Sequence, residues 1–187
     1  MQKNALKKEK KPIGSWSRNS ENKGREGVNK KEKKEIVVPK DKAVFWLDTH
    51  GRWHNKHGVF EHKKIIDYFH SSIRKDAEGY YLFQKHNDHI IEKVYFKYED
   101  TALFVFDIKT QDDPDKIRLI LNTKDEIALD PKNLFVQNDN LYTEHAGDRI
   151  KFIDRAMLKL APRLKFDQHR YHLELSGKTY DIPIRDS

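Results

Sequence analysis

The chain has 187 residues, with 37 Lys and Arg against 30 Asp and Glu, no cysteine and a mean hydropathy of −0.94. That length suits one or two small domains with a real core. The absence of cysteine excludes a disulfide framework, a Cys-ligated zinc finger, an iron–sulfur centre and thiol catalysis, so any metal site must use His and carboxylates.

The charge is unevenly spread. Residues 1–42 carry twelve Lys and two Arg against six acids, a net of +8, whereas 43–187 carry 23 basic and 24 acidic residues, a net of −1. The nominal pI near 9.3 therefore describes the leader and not the body. The leader holds one aromatic, Trp16, and two lysine-rich blocks without a sustained period. It has too little apolar surface to offset its ordering entropy, and a disordered Lys-rich leader over 1–42 is expected. No stretch approaches the ~18 apolar residues of a spanning helix, and no apolar signal-peptide core is seen. A cytoplasmic protein without a membrane span is the expectation.

From Ala43 the pattern becomes that of a folded chain. Ala43–Leu47 and Arg52–His54 around Asp48-Thr49-His50-Gly51 predict a β-hairpin. After Gly58, Ile66, Phe69 and Ile73 at i, i+3 and i+7 predict a helix, closed by Asp76–Gly79. Strands are expected at Tyr80–Phe83, Ile90–Tyr98, Ala102–Ile108, Ile117–Leu121 and Glu126–Leu129, with a surface loop at Gln111–Asp115. Leu134–Val136 and Leu141–Thr143 flank a turn at Asn138–Asn140. Gly147 then precedes a helix bearing Ile150, Ile153, Met157 and Leu160 on one face, closed by Pro162. A last hairpin turns at Gly177 between His169–Leu175 and Thr179–Ile184.

The second half repeats the order of the first, with Trp53 and Gly58 corresponding to Tyr142 and Gly147. The expected fold class is α+β: two related β-β-α-β-β units, 43–110 and 111–187, with mostly antiparallel sheets, intimately packed behind the leader.

Several residue groups invite chemistry. Asp48, His50, His54, His57 and His62 crowd one stretch, and imidazoles with a carboxylate suit zinc, nickel or copper. Their spacing matches no helical metal motif; His50, His54 and His57 are the metal candidates, and no metal is expected. Glu92, Glu99 and Asp100 could serve a hydrolase as paired carboxylates, but no nucleophile elbow, phosphate loop or dinucleotide fingerprint accompanies them. No catalytic residue is assigned. Nucleic-acid association rests on the 1–42 leader alone, through phosphate contacts from its fourteen basic residues.

The strings His50-Gly51-Arg52-Trp53, Gly58, Asp67-Tyr68-Phe69, Glu78-Gly79-Tyr80-Tyr81-Leu82, Glu92-Lys93-Val94 and Glu99-Asp100-Thr101-Ala102-Leu103 occur in this order. Leu121–Asp125 and a helix running from Asp148-Arg149-Ile150 to Arg155 follow. The set resembles the bacterial domain-of-unknown-function family 1285 over roughly 43–184. The resemblance implies a duplicated α+β core with a loosely pleckstrin-homology-like C-terminal unit. It further implies a nucleotide-type ligand between the units in a signalling role, a protein partner being the other binding expectation. On that footing Lys93, Arg149 and Arg155 would offset phosphate charge, and Trp53 or Tyr142 would stack a base. Asn122 and Glu99 would hydrogen-bond its edges, with Glu92, Asp100 and Asp125 nearby. Three departures stand out: the family's Arg after its G-x-P-I segment is His62 or Lys63, its Gly in TN-x-GD is Lys124, and its Arg-bearing strand is Tyr142–His145.

Overall fold

The computed structural model describes residues 34–110 and 116–186. In chain order the elements are β1 (Lys34–Val38), β2 (Phe45–Leu47), β3 (Trp53–Asn55), β4 (Gly58–Val59), α1 (Lys63–Ser72), β5 (Ile73–Asp76), β6 (Gly79–Lys85), β7 (Ile90–Tyr95), β8 (Lys97–Tyr98) and β9 (Leu103–Thr110). There follow β10 (Ile117–Leu121), β11 (Glu126–Ala128), β12 (Leu134–Gln137), β13 (Asn140–His145), β14 (Asp148–Phe152), α2 (Asp154–Leu160), β15 (Leu164–Asp167), β16 (Arg170–Leu175) and β17 (Lys178–Ile182). Short 3-10 turns precede β12 and β15.

The strands form four sheets, ordered β1-β7-β6-β5, β4-β3-β2-β8, β11-β10-β9-β14-β13-β12 and β15-β16-β17. Pairing is mostly antiparallel; β1 with β7, β2 with β8 and β14 with β9 are parallel. The protein is thus a mixed fold of many strands and two α-helices among the described residues. No described helix is long and apolar enough to cross a membrane.

Alternation sets the faces. In β10, Ile117, Leu119 and Leu121 are buried while Arg118 is exposed, the period-two pattern of a half-covered strand. β9 lies between β10 and β14, and Leu103, Phe104 and Val105 are all buried. α2 packs Ala156 and Leu160 against it, and Asp154 in the first turn favours the positive helix end. α1 sends Phe69 into an aromatic cluster with Phe45, Phe60 and Trp53, at centroid separations of 4.9, 5.4 and 5.3 Å. The Trp53 contact is edge-to-face and the other two are tilted, and aromatic pairs of this kind add about 1 kcal/mol each beyond area burial.

Several boundaries differ from expectation. Lys34–Val38 is a strand, so the leader does not stay unstructured through residue 42: Ile36-Val37-Val38 is β-branched and pairs with Glu92, Lys93 and Val94 of β7. Residues 1–33, on which the rest of that expectation and the nucleic-acid reading fall, lie outside the described residues, as does the 111–115 loop. α1 stops at Ser72, and Ile73 enters β5 in place of a last helical turn. Asp76–Gly79 is then a strand-to-strand turn, with Asp76 accepting from the Glu78 amide at 3.0 Å.

Ile150 and Arg149 belong to β14 and not to the second helix. Ala146 and Gly147, at φ 51° and 80°, make a tight turn, and Ile150-Lys151-Phe152 then pairs with Leu103-Phe104-Val105. β15 adds a third strand, paired with β16, to the last hairpin. The division expected near residue 110 cuts beside β9, which takes β10 and β14 on its two sides, so the two halves share one sheet.

Candidate functional site

The site begins with a turn. Asp48 is nearly buried, and its Oδ1 accepts the backbone N–H groups of His50 and Arg52, both at 2.8 Å. Its Oδ2 takes Arg52 Nε at 2.7 Å and His54 Nε2 at 2.9 Å. Burial alone would raise the carboxyl, but the Arg52 backbone bond, the His54 and Arg52 side chains and the His50 backbone bond outweigh it and hold the group at about 2. Gly51, at φ 75°, closes the turn against Phe104; a Cβ there would stand 3.1 Å from the ring. The turn presents Thr49 and His50 outward.

Facing it is the β12–β13–β14 edge of the large sheet. Arg149 and Lys151 lie two residues apart on β14 and so share a face. Both hold Asp100: Arg149 Nη2 at 2.5 Å on Oδ1, and Lys151 Nζ at 3.1 Å on Oδ2. Tyr142 OH donates to the same Oδ2 at 2.8 Å, and Arg149 Nη1 donates to Gln137 Oε1 at 3.0 Å. Burial, and then the Asp100 carboxylate, push the Tyr142 phenol up, so it stays a neutral donor.

Between turn and sheet edge lies a cleft of about 590 Å³, lined by Thr49, His50, Glu99 and Asp100 on one side and by Gln137, Asn138, Asn140, Tyr142, Arg149 and Lys151 on the other. A second hollow of about 300 Å³ shares Thr49, His50, Asn140 and Lys151 with it and continues to Arg52, Asp154 and Arg155. The surface is polar and carries both signs of charge. Lys151 is 8% exposed, an unusual depth for an ammonium that reaches a cleft.

Five of the residues expected to bind ligand converge here: Glu99, Asp100, Tyr142, Arg149 and, in the smaller hollow, Arg155. His50 joins them from the metal candidates. Arg155 Nη2 is held by Asp107 at 2.8 Å. Others lie elsewhere. Trp53 is 1% exposed inside the aromatic cluster, so no base can stack on it. Tyr142 offers no free face either: Phe135 stacks at 5.3 Å, and the Arg149 guanidinium lies 5.1 Å from the ring centroid. Asn122 is fully buried, its amide donating to the Ala102 carbonyl, meeting His70 Nδ1 at 3.1 Å and accepting from Phe104 N; it ties β9, β10 and α1 together.

Glu92 and Lys93 are on β7, with His86 Nε2 at 2.8 Å from Glu92, and Glu35 and Asp76 holding Lys93. Glu92 is thus outside the cleft that holds Glu99 and Asp100. Asp125 lines a separate cleft with Asp148 and Lys75. The histidines diverge as well: His54 is stacked on Trp46 and bonded to Asp48, while His57 lines yet another groove. Among the described residues no group of three or more His, Asp or Glu converges as a metal site.

Sequence reasoning missed Thr49, Gln137, Asn138, Asn140 and Lys151. Lys151 had a signal. Once 148–152 is a strand, alternation pairs it with Arg149 and sets it opposite Tyr142.

No family model and no curated protein matches the sequence. Among solved structures, a DUF1285 family protein from Silicibacter pomeroyi DSS-3 is similar at a TM-score of 0.53 and 14% identity, covering 87% of this chain and 89% of that one. A DUF1285 family protein from Shewanella baltica OS155 aligns at a TM-score of 0.46 and 17% identity, over 64% of this chain and 91% of that one. The likeness to the first is one of fold, spanning nearly the whole of both chains: this protein has the fold of the DUF1285 family.

Proposed function

We infer that the protein binds a small phosphorylated ligand of nucleotide type in the cleft between the β2–β3 turn and β14. The observation that carries this reading is the arrangement at Asp100, where one carboxylate holds both Arg149 and Lys151 at the cleft wall. A phosphate can take the same two cations, the guanidinium by paired N–H donors and the ammonium as a point charge. Gln137, Asn138 and Asn140 supply hydrogen-bonding edges, and the exposed His50 ring supplies the plane that Trp53 and Tyr142 do not.

The reading includes two related units. Each helix is preceded by a short antiparallel ladder, β2-β3-β4 or β12-β13-β14, and followed by an antiparallel triplet, β5-β6-β7 or β15-β16-β17. The cleft then lies where the hairpins of the two units face each other. A pleckstrin-homology-like C-terminal unit and a non-enzymatic, cytoplasmic signalling role complete the reading; their support is the resemblance of motifs.

Thermal-shift titration of the full chain with AMP tests it. A ligand at 100 times its dissociation constant stabilises by about 2.7 kcal/mol. Lys151→Gln is expected to weaken AMP binding about tenfold, and Asp100→Asn to tighten it by releasing both cations. A flat response to AMP in the native chain and in Asp100→Asn would sink the proposal.

A further inference from the structure

A second groove, away from the polar cleft, has a different character. The run into β2 leaves Val44 76% exposed, and Val44, Phe45 and Trp46 wall a groove of about 490 Å³. Lys56 and His57 of the β3–β4 turn and Lys97 of β8 stand at its rim, and no acid lines it.

Its lysines differ from those of the molecule that carry an ion pair. Lys75, Lys85, Lys93 and Lys109 each hold a carboxylate. Lys56 and Lys97 have no ion-pair partner among the described residues. An aqueous protein gains little by leaving a valine and part of an indole exposed beside two unpaired ammonium groups, unless something apolar with an anionic head covers them. Trp46 is already stiffened for such a contact, because one face of its ring lies on His54 at 5.4 Å and 17°.

We propose that this groove binds an amphiphilic carboxylate, an unbranched acyl chain of medium length whose carboxylate meets Lys56 and Lys97 while its chain lies along Val44, Phe45 and Trp46. Three chemical demands meet there. The volume is within the range of small-molecule sites, roughly 300–1,000 Å³. The walls are apolar, so each buried methylene is expected to tighten binding about fourfold. The rim is cationic without a competing acid, so an anion is selected over a cation of the same length. The site shares no lining residue with the polar cleft and does not depend on the phosphate reading.

Isothermal titration of the full chain with decanoate tests the proposal, with octanoate, decanol and decyltrimethylammonium as companions. Decanoate is expected to bind saturably, octanoate roughly fifteenfold more weakly, decanol about tenfold more weakly, and the ammonium not at all. The double variant Lys56→Gln/Lys97→Gln is expected to lose about tenfold in decanoate affinity with an unchanged melting temperature, since both side chains are exposed. Val44→Glu, which sets a like charge in the groove, is expected to abolish binding. The basic residues 1–33 are present in every variant, so their own attraction for anions cancels. Decanoate binding absent from the native chain, or unchanged in both variants, would overturn the proposal. So would equal affinity for decanol and decanoate, or selective binding of an Asp-rich aromatic peptide with no decanoate binding.

Discussion

Between β2 and β3 the chain turns around the carboxylate of Asp48, which gathers two backbone amides, a guanidinium and an imidazole. Between β12 and β13 it turns on left-handed backbone, with Asn138 and Asp139 at φ 48° and 57°, the conformation of a two-residue type I′ hairpin, and the Asn140 amide donates to the Asn138 carbonyl at 2.5 Å. Both turns line one cleft. The first rests on side chains whose charge can change, and the second on residues that tolerate left-handed backbone. Of the two turns, the first is therefore the more sensitive to proton concentration and to loss of a single side chain.

Acid should break the comparison most strongly. His70 lies under the first turn, among Trp53, Phe106 and Asn122. Burial foremost, then the Lys124 charge, lower it to about 4, while Asp67 and a backbone hydrogen bond with Gly51 act in the opposite sense. The unfolded chain takes up the proton near 6.5 and the folded chain only near 4, so stability falls as pH drops through that interval and levels off below it. Chemical denaturation is expected to show a loss of roughly 2–3 kcal/mol between pH 7 and pH 4.5. A His70→Gln variant is expected to lose distinctly less over the same interval; an equal loss would remove His70 as the cause.

Asp48→Ala strips the first turn of its acceptor and is expected to cost about 2–3 kcal/mol at neutral pH. The charge contribution has its own window. The Asp48 carboxyl is lowered from 3.8 to about 2, so its stabilisation is complete above 3.8 and disappears as pH falls through about 2, below the range in which His70 acts. Asn138→Ala, in the second turn, is expected to cost only about 1 kcal/mol, the penalty of a Cβ at positive φ without an Asn side chain to support it. Equal costs for the two variants, measured by urea denaturation, would erase the distinction between the turns.

The smallest effect concerns Lys124, which stands at φ 76° where the resemblance places glycine. Lys124→Gly relieves the left-handed strain and adds unfolded-state entropy, two opposing contributions of about 1 kcal/mol each. Its melting temperature is expected to stay within a few degrees of the native value, whereas Lys124→Val should fall well below it.

Much of the fold is legible in the residues. The alternation of β10, the apolar run of β9, the Asn138–Asn140 turn and the Phe69 face of α1 each carry a local signal strong enough to survive tertiary packing. Misplaced boundaries arose where helical and strand periods coincide. Ile150 and Ile153 fit an i, i+3 stripe, yet pairing with Leu103 draws Ile150 into β14. The site is less legible for a similar reason. Arg149, Glu99 and Asp100 carried charge that could be noticed, but nothing local distinguishes Trp53 and Asn122, which are core, from groups that face a ligand. Only the long-range contacts of the β2–β3 hairpin and of Asn122 with β9 and α1 decide that.

The central claim is that an anion enters between the two turns, and amide chemical shifts of the full chain titrated with AMP test it most directly. The account predicts saturable shifts centred on Thr49, His50, Asn138, Arg149 and Lys151, reduced in Lys151→Gln. Shifts centred instead on β7 around Glu92 and Lys93, or none at saturating AMP, would contradict it.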